Sequence, residues 1–132
     1  MRVMLDTNIC IYLIKRQPPS VLRRFSSFGV GDLGISAITL AELEYGASKS
    51  SQPGRNRQAL GEFVSALEVA AFDRHATVAY GNVRALLEKR VRPIGSMDLL
   101  IAAHALSLDV RLATNNVREF RRIPNLRIEN WV

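Results

Sequence analysis

The chain has 132 residues, 48% of them apolar, and a formal charge of +6. That length and apolar share suit a single domain spanning 1–132 with its own core and exclude a disordered chain; no apolar run is long enough for a secretory leader or a membrane span, so a cytoplasmic protein is expected. Cys10 is the only cysteine, which excludes an intrachain disulfide and a multi-cysteine metal site and leaves a small buried thiol as its expected role.

The positive charge is mainly arginine, because Lys15, Lys49 and Lys89 are the only lysines. Guanidinium suits phosphate, so the balance favours polyanionic partners, although an acidic protein would be attracted as well. The cluster Arg118, Arg121, Arg122 and the run Lys89, Arg90, Arg92 also read as solvated helix faces.

In chain order, Val3-Met4-Leu5 reads as a short strand that delivers Asp6 to its tip. Residues Thr7 to Lys15 then place Ile9, Cys10, Leu13 and Ile14 on one helical face, and Pro18-Pro19 stops that helix. A second helix is expected from Ser20 to about Ser27, a strand over Leu33-Gly34-Ile35 ending at Ser36, and a helix from Ser36 to Ser48 with Leu40, Leu43 and Ala47 in a stripe. Ser51 to Gly54 marks a turn before a helix from Arg55 to Glu68. Val69 to Phe72 reads as a strand, and Asp73 as the N-cap of a helix from Arg74 to Arg90. Ser96 is expected to cap a nearly buried helix from Met97 to about Ser107. There His104 reads as a core histidine, whereas His75 belongs at the surface. Val110 to Ala113, Asn116 to Arg122 and Leu126 to Ile128 supply a strand, a short helix and an edge strand. Strands alternating with helices throughout predict an α/β fold with a parallel sheet covered on both faces.

In such a fold the residues following each strand share one rim. They are Asp6, Thr7 and Asn8; Ser36, with Glu42 two turns on; and Thr114, Asn115, Asn116 and Glu119. Asp98, in the first turn of the buried helix, joins them. Each acid also has a structural reading: Asp98 as a helix-dipole partner, Glu42 in a capping box with Thr39, Glu119 paired to Arg122, and Asp6 as a cap. Carboxylates gathered at one rim are costly, however, since two charges about 4 Å apart repel by roughly 4 kcal/mol at an effective dielectric near 20. A divalent cation relieves that repulsion, and an all-oxygen donor set suits Mg²⁺ or Mn²⁺ rather than Zn²⁺. Beside a basic surface, such a centre suits phosphodiester hydrolysis, which needs an activated water and neutralisation of developing charge. Periodicity leaves open whether Glu42 or Glu44 faces the rim, because the two differ by about 200° around the helix.

Four blocks of this chain resemble the PIN-domain ribonucleases, and among them the VapC toxins of bacterial toxin–antitoxin pairs. They are Met4-Leu5-Asp6-Thr7-Asn8; Ile35 to Leu43 with Tyr45-Gly46-Ala47; Asp98 to Ala105; and Ala113 to Asn116 leading to Glu119-Phe120. The resemblance implies a PIN-like three-layer sandwich with a short, mainly parallel central sheet flanked by helices. It also implies an acidic centre of Asp6, Glu42, Asp98 and Glu119, which selects Glu42 over Glu44. Asp6 and Asp98 would hold Mg²⁺, with Mn²⁺ as an alternative, and Thr7, Asn8, Ser36, Thr114, Asn115 and Asn116 would orient ligands or phosphate oxygens. The family commonly places Asp where this chain has Asn116, and Glu119 is the expected substitute.

The implied activity is a Mg²⁺-dependent endoribonuclease that arrests translation until a cognate antitoxin blocks it, usually as a homodimer. Similarity to the subgroup with Thr-Asn-Asn-x-Arg-Glu-Phe and a Glu-Asn-Trp ending implies initiator tRNA, cut in the anticodon loop. Two other readings are a non-catalytic module binding RNA or a basic peptide, and an Asp-dependent phosphotransfer protein. The latter is disfavoured by Asn8, where a phosphatase of that kind needs a second Asp.

Overall fold

Five short strands form one sheet with every neighbouring pair parallel, in the order β3-β2-β1-β4-β5. The computed structural model describes residues 1–132, and its elements run β1 (Val3–Leu5), α1 (Thr7–Lys15), α2 (Pro19–Ser26), β2 (Leu33–Ser36), α3 (Ala37–Ser48), α4 (Pro53–Val64), β3 (Glu68–Ala70), α5 (Arg74–Lys89), α6 (Ser96–Leu108), β4 (Arg111–Thr114), α7 (Val117–Phe120) and β5 (Ile128–Asn130). The central strand is β1, with β2 and β3 on one side and β4 and β5 on the other. The strand order therefore reverses at β1, and the crevice outside such a reversal is where open parallel sheets bind ligands.

Strand alternation sends side chains to two different cores. Val3 and Leu5 join Ile9, Cys10, Leu13, Val21, Leu43 and Leu60 beneath α1 to α4, whereas Met4 and Leu112 join Val83, Leu87, Leu99, Ile101, Ala102 and Phe120 beneath α5 to α7. Helices cover both faces, which is the expected three-layer arrangement, and the sheet is wholly rather than mainly parallel. Gly34 lets β3 approach β2 closely, because a Cβ there would stand 2.7 Å from the Glu68 carbonyl oxygen. No helix is long and apolar enough to cross a membrane.

Several boundaries differ from the sequence reading for local reasons. The α4 helix begins at Pro53, whose missing N–H is harmless in the first turn, so what reads as a turn is the helix start. Gly95, not Ser96, occupies the N-cap of α6, and Ser96 is its first helical residue. Thr39 lies buried inside α3 while Ser36 caps that helix, its Oγ accepting from the Ile38 N–H at 3.0 Å; the Thr39–Glu42 capping box does not form. Arg122 donates to the Pro93 carbonyl at 2.7 Å instead of pairing with Glu119. β3 starts at Glu68 and ends at Ala70, freeing Phe72 to pack edge-on against His104. β5 is shifted to Ile128–Asn130 by its register against Leu112, Ala113 and Thr114. Trp131 is buried and stacks on Phe28 with centroids 5.6 Å apart.

Candidate active site

Asp6 follows the tip of β1, the strand at which the order reverses, and is only 3% exposed. Its Oδ1 accepts from the Ile9 N–H at 2.9 Å, so it caps α1 while facing the rim. Burial is the main reason its pKa rises to about 6; hydrogen bonds from the Thr114 side chain and the Ile9 amide hold it lower than burial alone would, and the charge of Glu42 pushes it up. Asp98, in the first turn of α6, also stands at about 6. Burial comes first there, followed by the charges of Glu119 and Asp6, a hydrogen bond with Glu119, and the charge of Glu42. Elements far apart in sequence thus bring Asp6, Glu42, Asp98 and Glu119 within electrostatic reach of one another.

Each acid has a polar companion. The Thr7 hydroxyl donates to Glu42 Oε1 at 2.5 Å, with buried Thr39 Oγ1 3.4 Å from the same hydroxyl. This fixes Glu42 toward α1, whereas Glu44 is exposed. Asn116 Nδ2 donates to Glu119 Oε2 at 3.0 Å, and Thr114 Oγ1 accepts from the Asn116 N–H at 2.8 Å, so the end of β4 shapes the loop that carries Glu119. Asn115 Nδ2 donates to the Tyr12 hydroxyl at 2.8 Å, leaving its Oδ1 a buried acceptor without a partner.

The remaining candidates lie differently. Ser36 is fully buried and its Oγ is 2.7 Å from His104 Nδ1, so it joins α3 to α6 instead of presenting its hydroxyl at the rim. Asn8 is exposed on the first turn of α1. Sequence reasoning missed Thr39, Tyr12 and the Ser36–His104 contact. Thr39 had a signal in its position one turn before Glu42; the other two depend on how helices meet across the sheet.

No group of three or more acidic, histidine or cysteine side chains is placed to hold a metal ion. Magnesium does not need one, since it is held by one or two carboxylates and keeps several waters. Two carboxyls whose pKa values are raised by burial and by neighbouring anions, with an unpartnered amide oxygen at the same rim, suit a hard divalent cation that relieves the repulsion.

Fold and site together define an α/β protein with an acidic, cation-suited centre at the switch point of a parallel sheet. The PIN domain model matches residues 3–126, and the chain belongs to that family. It is 46% identical to the Ribonuclease VapC2 of Rickettsia felis, over 97% of this chain and 96% of that one. It is equally 46% identical to the tRNA(fMet)-specific endonuclease VapC of Shigella flexneri, over 99% of this chain and 98% of the relative. Among solved structures, a chain of the DNA-bound VapBC of Salmonella typhimurium superposes with a TM-score of 0.95 at 45% identity, covering 100% of this chain and 99% of that one.

Proposed function

We propose that residues 1–132 form a single PIN domain acting as a divalent-metal-dependent endoribonuclease, the toxin of a toxin–antitoxin pair, with tRNA as its substrate. The observation that carries this reading is the mutual influence of Asp6, Glu42, Asp98 and Glu119 at the rim where the strand order reverses. The VapC names of the relatives, one of them specific for tRNA(fMet), support initiator tRNA as the target; a cut in its anticodon loop is what the resemblance in the block ending at Glu119-Phe120 implies. The VapBC complex supports a cognate antitoxin as the inhibitory partner. The chain works in the cytoplasm, as a homodimer that assembles with its antitoxin into a heteromer.

Asp6 and Asp98 would hold Mg²⁺, or Mn²⁺ in its place, with Glu42 and Glu119 completing the acidic ring. When bound, the cation offsets charge building on the phosphoryl oxygens and acidifies water. The chain's own residues do the positioning. Thr7 holds Glu42, Thr114 and the Ile9 amide hold Asp6, and Asn116 holds Glu119, so the carboxylates keep their places before substrate arrives. Asp6, the most buried of the four, anchors the ring, while half-buried Asp98 and Glu119 stand nearer to solvent and to an incoming phosphate.

The test is incubation of bulk tRNA with the purified chain in Mg²⁺ or in EDTA, with the cleaved species sequenced. Cleavage of one tRNA in its anticodon loop, abolished by EDTA, supports the reading. Intact tRNA under both conditions sinks it.

A further inference from the structure

Arg92, Arg118, Arg121 and Arg122 are not scattered over solvated faces; with Val117 and Asn130 they line one groove of about 740 Å³. Two segments build it. One is the turn closing α5, where the Val91 N–H donates to the Glu88 carbonyl at 3.1 Å and the Arg92 N–H to the Leu87 carbonyl at 2.9 Å, with Val91 at φ 53°. The other is α7 with the residues just after it. Arg122 Nη1 donates to the Pro93 carbonyl at 2.7 Å and so pins the two walls to each other.

None of the four guanidiniums takes part in an ion pair; the arginines that do are Arg2, Arg24, Arg84, Arg111 and Arg127. Four uncompensated like charges around one concavity focus positive potential there. The groove lies on the rim that carries the acidic centre, although none of the four acids lines it. Glu119 lies on α7 between Arg118 and Arg121, and Asn130 ends β5 on the same rim as Asp6 and Thr114.

We propose that this groove is a docking site for the RNA sugar–phosphate backbone, gripping the strand beside the bond presented to Asp6 and Asp98. The proposal rests on the ribonuclease reading above and deepens it by naming the arginines that bind. Guanidinium forks match phosphate oxygens in pairs, and backbone binding needs no apolar anchor. An acidic peptide is the weaker occupant, because protein interfaces concentrate their energy in apolar and aromatic pockets and Val117 is the only hydrophobic residue lining this groove.

The experiment measures binding of bulk tRNA in EDTA, where cleavage is suppressed, by fluorescence anisotropy across a KCl series. It compares the native chain, the triple variant R92Q/R118Q/R121Q and a control, R2Q/R127Q, whose arginines sit at the opposite rim. Arg122 is left in place because it ties the walls together. The triple variant is expected to bind about tenfold or more weakly at low salt, with a slope of log affinity against log salt shallower by about two to three, while the control changes little. An unchanged slope in the triple variant overturns the proposal, as does failure of the native chain to bind tRNA. Loss of polyglutamate binding with tRNA binding intact overturns it in favour of an acidic protein partner. A native chain that binds tRNA through these arginines yet never cleaves RNA in Mg²⁺ upholds the groove and sinks the nuclease reading alone.

Discussion

The side-chain amide of Asn116 donates to Glu119 Oε2 across 3.0 Å, one turn of chain apart. At a position where the family commonly has an acid, this chain has a donor that steadies the acid beyond it. Asn116→Ala removes that donor without adding or removing charge. Metal-dependent cleavage is expected to fall about tenfold, the scale of losing a partner that orients a metal-centre carboxylate. Single-turnover rates checked against the melting temperature separate this from simple loss of fold, and an unchanged rate means Glu119 is held by something else.

The acidic ring predicts a pH dependence for the metal-free protein. Asp6 and Asp98 have folded pKa values of about 6 against an ordinary 3.8, so between those values the folded state binds more protons than the unfolded one. Stability from these groups is therefore full below about pH 4 and is lost as pH rises through about 6. For buried Asp6 the full change is roughly 3 kcal/mol, with solvent reducing the share of Asp98. In EDTA, melting temperatures measured from pH 5 to pH 7.5 should fall for the native chain and fall less for Asp98→Asn. Adding Mg²⁺ should restore stability at pH 7.5, and at pH 6, where both carboxyls are still about half protonated, it should release protons, which calorimetry in buffers of different ionisation enthalpy detects.

Ser36 and His104 join the helix bearing Glu42 to the helix bearing Asp98 through a 2.7 Å contact between two buried groups. Ser36→Ala removes both the N-cap of α3 and the partner of His104 Nδ1. It should destabilise the protein by about 2 kcal/mol, read as a lower urea midpoint with an unchanged m-value. A loss of only a few tenths of a kcal/mol would show that the two helices are tied elsewhere.

Val91 adopts φ 53°, a left-handed conformation that costs an L-residue about 1–2 kcal/mol and is least comfortable for a β-branched one. Glycine removes that strain but gains about 0.5–1 kcal/mol of unfolded-state freedom. Val91→Gly should therefore stabilise the chain by less than about 1 kcal/mol, whereas Val91→Ala, which keeps the positive φ, should not. Equal effects of the two in thermal melts would place the strain elsewhere.

The parts of this design that were legible in the sequence are those fixed by neighbours along the chain. Asp6 at a strand tip, Asp73 as an N-cap and the almost wholly buried helix around Ile101 all follow from local pattern. The four acids could be grouped once the chain's blocks were recognised, although no periodicity chose Glu42 over Glu44. The choice is made in space, by the Thr7 hydroxyl of another helix. The strand order, the turning of Ser36 toward His104 and the gathering of Arg92 with Arg118 and Arg121 were not legible, because each depends on which elements lie side by side across the sheet. The cap of α6 was misplaced by one residue because serine is a strong capping type, whereas the backbone enters that helix through Gly95.

If Asp6 and Asp98 form one metal-dependent centre for RNA cleavage, replacing either with asparagine should disable it. Asn is as good an N-cap as Asp, so Asp6→Asn can keep its contact with the Ile9 amide, and neither change alters volume appreciably. With folding verified by melting, both variants should cleave tRNA in Mg²⁺ at least on the order of a hundredfold more slowly than the native chain, the scale of losing one electrostatic stabiliser of a transition state. Native-like, Mg²⁺-dependent cleavage by either variant would mean that the substituted carboxylate is not part of the metal centre.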